Sequence, residues 1–122
     1  ALSQVVRDLG SNNTVTIHPL AKVDADVKIT FNGDGHKLEV LQGAHLRSPL
    51  GIHFQGSGGT ITIGEYCNIR GSLHVRQRSS TITVGNGTTA VGAHLFALEG
   101  ASIIIGDDCM FAAGISIRSS DE

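Results

Sequence analysis

The stretch Ile61-Thr62-Ile63-Gly64-Glu65-Tyr66-Cys67-Asn68-Ile69 decides the fold, because the chain writes it again and again. It returns as Ile82-Thr83-Val84-Gly85-Asn86-Gly87-Thr88-Thr89-Ala90, and again as Ile103-Ile104-Ile105-Gly106-Asp107-Asp108-Cys109-Met110-Phe111. Gly43, Gly64, Gly85 and Gly106 follow one another at intervals of 21 residues. A fixed period of this length is the signature of a repeat architecture, in which one unit stacks on the next. Other columns align on the same interval: Phe54, Val75, Phe96 and Ile117; and Leu46, Cys67, Thr88 and Cys109.

Inside each period runs a beat of six. Ile63, Ile69 and Val75 keep it, as do Val84, Ala90 and Phe96, and Ile17, Val23 and Ile29. The residue four positions after each apolar one is usually small or apolar too. Each hexad therefore supplies a very short strand with inward side chains two residues apart. A corner rich in Gly, Asn or Asp follows. Two segments of six and one of nine close a triangular coil. The spacing predicts an all-β parallel β-helix of about five coils over residues 17–122, beginning near Ile17, Gln42, Ile63, Val84 and Ile105. The first coil carries a larger corner at Phe31-Asn32-Gly33-Asp34-Gly35-His36. Residues 1–16 form a separate N-terminal segment, in which Leu2 to Leu9 read as a short helix closed by Gly10 or as an irregular terminus.

Composition agrees with a narrow core. The 122 residues hold no Trp, four Phe and one Tyr, but 16 Gly, and 40% are apolar. Ile, Val and Thr favour strands, and frequent Gly marks frequent corners. The net charge is −2 with no long run of one sign, which argues against a nucleic-acid binder driven by phosphate neutralisation. The apolar runs fall far short of the roughly 20 residues of a membrane helix. Cys67 and Cys109 share an inward column two rungs apart. At about 9.6 Å that is too far for a disulfide, so both are expected as free thiols. Low charge and free thiols point to the cytoplasm. The last coil stops just after Ile117, which predicts a domain truncated at its C-terminal end.

The run from Ile105 through Gly106-Asp107-Asp108-Cys109-Met110-Phe111 to Ser116-Ile117-Arg118-Ser119-Ser120-Asp121 resembles the hexapeptide-repeat, or isoleucine-patch, acyltransferases. It is most similar to the bacterial polysaccharide and sugar O-acetyltransferases. Periodicity leaves the hand of the coil open; the resemblance implies a left-handed helix. It further implies a homotrimer, acetyl-CoA as co-substrate lying between adjacent helices, and acceptor sites at the subunit interfaces. A sugar or surface-polysaccharide precursor is the implied acceptor. The family's general base is a His that follows a segment like Ile117-Arg118-Ser119-Ser120-Asp121. It is expected immediately beyond Glu122, and no His within the 122 residues occupies that place. Arg118, Ser119, Ser120 and Asp121, read as the enlarged third corner of the last coil, are the candidates for the acceptor site.

Weaker candidates stand beside them. His94 falls at an inward hexad position aligned with Leu73 and Ile115, where it reads as a hydrogen-bonded structural His or as a ligand-binding group. His53 and His74 share an outward column and are expected to stack about 5 Å apart. Two His without a third ligand do not make a metal site, so no metal is expected. Arg70, Arg76 and Arg78 gather near the corners of one coil, as a solvated face or as partners for a phosphate or an acidic sugar. His18, His36 and His45 fall in corners or loops and carry no signal. A non-catalytic trimeric scaffold or glycan-binding module is the alternative function. Ice binding by Thr60, Thr62, Thr81 and Thr83 is a third reading, limited by a ladder only two rungs deep.

Overall fold

A computed structural model describes residues 6–111 and 116–120. Among them every regular element is a strand. In chain order these are β1 (Val6–Asp8), β2 (Thr14–Ile17), β3 (Lys22–Val23), β4 (Val27–Asp34), β5 (Lys37–Val40), β6 (His45–Ser57) and β7 (Thr60–Ile63). There follow β8 (Asn68–Arg76), β9 (Thr81–Val84), β10 (Thr89–Leu98), β11 (Ser102–Ile105), β12 (Met110–Phe111) and β13 (Ser116–Ser120). Every pairing is parallel, and each strand lies against the strand one coil away. The chain is a parallel β-helix of about five coils with three walls.

One wall stacks β4, the second halves of β6, β8 and β10, and β13; β1 adds to its N-terminal side. The second stacks β2, β5, β7, β9 and β11. The third stacks β3, the first halves of β6, β8 and β10, and β12. Alternate residues point inward, so each wall gives the core straight columns. Val15, Leu38, Ile61, Ile82 and Ile103 make one; Ile29, Ile52, Leu73, Leu95 and Ile117 make another. Phe31 and Phe54 stack with ring centroids 4.7 Å apart.

The 21-residue period holds over only part of the molecule. Ile17 pairs with Val40 and Val40 with Ile63, both steps of 23 residues; Ile63, Val84 and Ile105 then follow at 21. The second coil thus begins at Val40 rather than Gln42. Gly43 lies under the Tyr66 ring, outside the column of Gly64, and Leu46 pairs with Ile69 rather than Cys67. The cause is local: Asp24-Ala25-Asp26 in the first coil and Arg47-Ser48-Pro49 in the second each put three residues between their strand segments, where Arg70 alone separates Ile69 and Gly71.

A second irregularity follows. Between Val91 and Ala93 the pairing slips by one residue at Gly92, which takes a left-handed φ of 79°. The corner after Leu98 is one residue shorter, so Ser102 again meets Thr81 in the old register. Between these points every side chain is turned over relative to the 21-residue expectation. Leu95 and Ala97 are buried, while His94 is exposed and Phe96 faces outward. The expectation of inward His94 and Phe96 is therefore wrong. The last strand carries the same offset, so Ile117 joins Leu95 and Leu73 rather than Val75.

Two further expectations change. Val6–Asp8 is strand, not helix, because its backbone pairs with the free side of β4 at Ile29, Thr30 and Phe31. His36 is buried, at 1% exposure. It sits against Phe31 and Phe54, its Nδ1 accepts the Gly59 N–H at 3.0 Å, and its Nε2 lies 3.2 Å from the Asn32 carbonyl. A corner position hid an imidazole whose two nitrogens are both satisfied by backbone. His45, also in the unsignalled group, pairs with Asp24 at 2.8 Å. Cys67 and Cys109 are free thiols. The Thr88 hydroxyl accepts the Cys109 N–H in the rung between them, and burial pushes the Cys67 thiol pKa up.

Candidate functional site

The outer surface of the first wall carries the candidate residues. Strand register sets them in columns one rung, about 4.8 Å, apart. The central column runs Thr30, His53, His74, Phe96, Arg118. His53 and His74 stack with centroids 4.7 Å apart and planes 15° from parallel. Phe96 continues the stack on His74 at 4.6 Å and 9°. The His pair is as expected; Phe96 is the member the inward reading missed. Partial burial lowers the pKa of both imidazoles. His74 is pushed down to about 4, mainly by desolvation and then by the charges of His53, Arg76 and His94. His53 is lowered by desolvation and by Arg76. At neutral pH the stack is therefore uncharged.

The neighbouring column holds Gly51, Ser72, His94 and Ser116. The Ser72 hydroxyl and His94 Nδ1 lie 2.6 Å apart. His94 is thus a surface group tied to a serine one rung away.

The edge between the first and second walls is grooved. Gln55, Arg76, Gln77, Leu98, Glu99 and Arg118 line a groove of about 480 Å³. Ser57, Gln77, Arg78, Glu99 and Gly100 line an adjoining one of about 580 Å³. A third, of about 200 Å³, lies beside His53, His74 and Arg76. Tight left-handed corners at Gln77, Ser79 and Glu99 make the edge. Gly56 sits there with φ 89°, and a Cβ on it would collide with the Gln77 carbonyl. Only glycine lets the two coils approach at that point.

Arg118, Ser119 and Ser120 were expected in a corner. They lie instead in strand β13, paired with Phe96, Ala97 and Leu98. Arg118 points outward at the end of the ring column and reaches the groove that Arg76 also lines. Asp121 lies outside the described residues. Arg76 is exposed at the end of β8 and Arg78 in the corner after it, whereas Arg70 faces the other end of that strand. The sequence brought Arg76 and Arg78 together. The plain 21-residue interval already sets Arg118 two rungs from Arg76; the slip at Gly92 places it two rungs from His74 instead, where it still lines the groove of Arg76. Among the described residues no three His, Cys, Asp or Glu side chains gather as a metal would require. No described helix is long and apolar enough to cross a membrane.

No protein-family model and no curated protein matches the chain. Solved structures do. The chain is similar to the polySia-specific acetyltransferase NeuO at 26% identity and a TM-score of 0.79, over 95% of this chain and 48% of that one. The chain thus spans about half the length of that enzyme.

Proposed function

We propose that this chain is the β-helical part of an O-acetyltransferase that moves an acetyl group from acetyl-CoA to a sugar hydroxyl. The observation that carries the reading is the likeness to an acetyltransferase of polysialic acid over 95% of the chain at 26% identity. In the reaction the acceptor oxygen attacks the thioester carbonyl. The C–S bond breaks, an O-acetyl ester forms, and the hydroxyl proton passes through a base to the departing thiolate of CoA. The resemblance assigns that base to a His following the Arg118–Asp121 segment. The segment then lies beside it, and Arg118 is the member that faces the acceptor. Arg118 supplies an outward-facing fixed cation, borne on a paired strand rather than a loose loop, while Ser119, level with buried Ala97, lies on the strand's inner side. A strand holds such groups more tightly than a corner does, and tight placement is what orientation of two reactants requires. The family's homotrimer, with acetyl-CoA between neighbouring helices, completes the proposal, as does a cytoplasmic location.

The test is transfer itself. The native protein is incubated with [14C]acetyl-CoA and a panel of glycans, including polysialic acid, and both glycan radioactivity and free CoA thiol are followed. Equal amounts of labelled glycan and released CoA are expected. Failure of every glycan, with no acetyl-CoA binding by calorimetry, would leave the β-helix as a scaffold.

A further inference from the structure

The structure assigns a second role to the wall edge: we infer that Arg76, Arg78 and Arg118 line a docking groove for a negatively charged polysaccharide chain. The inference rests on the acetyltransferase reading only for the kind of ligand; the groove stands on its own geometry. Three arginines and one carboxylate, Glu99, line the two adjoining grooves, which leaves them at +2 in a chain whose net charge is −2. Among the described residues the one side-chain ion pair is His45 with Asp24, so no described carboxylate pairs with these three guanidinium groups. Glu99 receives the Gln77 amide at 3.4 Å instead. All three arginines are exposed, and nothing in the coil packing needs their charge. Uncompensated like charges along one edge repel each other, a cost that an anionic ligand removes.

The spacing argues for a chain rather than a single anion. Arg118 stands level with His74 two rungs further on, and Arg76 follows His74 by two residues on the same strand. Their backbones are separated by about 10 Å along the helix axis. A sugar chain with repeated carboxylates matches cations spaced along an edge in this way. Guanidinium groups bind carboxylates through paired N–H donors, and the amides of Gln55 and Gln77 line the floor for hydroxyls. On the N-terminal side the column of Arg78 passes through Ser57 to Asp34, whose carboxylate is held by Ser11.

Binding is read with oligosialic acids of increasing length, against neutral maltooligosaccharides of equal length and CoA, by calorimetry on the native protein. The acidic series is expected to bind, to tighten with length until the groove is filled, and to weaken as salt is raised. Arg76→Gln with Arg78→Gln is expected to weaken it at least tenfold and to leave acetyl-CoA binding unchanged, with partial recovery in the Arg→Lys pair. Equal binding of neutral chains, or no effect of length and salt in the unaltered protein, overturns the inference without any variant. A double variant that loses acetyl-CoA instead also overturns it, since the arginines then serve the nucleotide phosphates. Transfer is measured separately: acidic chains that bind but are never acetylated refute the enzyme reading alone, and transfer to neutral sugars without acidic binding refutes the groove alone.

Discussion

His74 is held between two rings, with His53 on one side and Phe96 on the other. A charged imidazole there loses hydration and meets the positive charge of Arg76, so the folded state favours the neutral form, with a pKa of about 4 against an ordinary 6.5. The sign of the consequence follows from proton binding. Between pH 6.5 and 4 the unfolded chain takes up a proton at this site and the folded chain does not. The stability associated with neutral His74 is therefore complete above pH 6.5 and is lost progressively as pH falls toward 4. His53 shifts in the same direction and adds to the slope. The groups facing the pair are Arg76 and His94, with Arg118 beyond Phe96. An NMR titration of the His74 ring is expected to show a midpoint near 4. The thermal midpoint should fall between pH 7 and 4, and His74→Phe should flatten that fall. A ring that titrates near 6.5 contradicts the stacked, desolvated arrangement.

At the scale of the strand, β10 is the element in which sequence and structure part company. Ile63, Val84 and Ile105 made the second wall legible from β7 to β11, where nothing interrupts it and the 21-residue interval maps directly onto rungs. The first wall was not legible in β10, because Gly92 adds one residue and the short corner after Leu98 removes it again. The two errors cancel in any count from coil to coil, so the intervals between conserved-looking glycines conceal them. The slip nevertheless decides which side chains face the solvent. It moves Phe96 onto the ring column, His94 beside Ser72, and Arg118 from the column of Arg76 to that of His74. The two registers make opposite demands on neighbouring residues. Leu95→Ala should cost about 2–5 kcal/mol, the range for emptying a closed core position. His94→Ala should cost less than about 1 kcal/mol, since it removes one exposed hydrogen bond. Urea unfolding of the two variants measures both, and the reverse order would restore the uninterrupted 21-residue register.

Over the whole molecule, stability is set by how many neighbours a rung has. The column Val15, Leu38, Ile61, Ile82, Ile103 crosses all five coils of the second wall. Ile61 is fully buried between Leu38 and Ile82, whereas Val15 is only half-buried and, among the described residues, pairs on the side of Leu38 alone. In a stacked architecture each unit owes its stability to the interfaces above and below it. A truncation in the middle therefore leaves a void closed on both sides. The same truncation at the first rung leaves one open to water, which the solvent fills. Ile61→Ala should cost about 2–5 kcal/mol, and Val15→Ala about 1 kcal/mol. Equal costs, measured by chemical denaturation, would mean that the coils do not act through nearest-neighbour stacking. This gradient bears on the groove as well. Arg76 and Arg78 belong to β8 and the corner after it, and β8 is paired on both sides by β6 and β10. Arg76 and Arg78 are thus mounted on a rung supported on both sides, so their charge can be removed by substitution while the scaffold that spaces them stays in place.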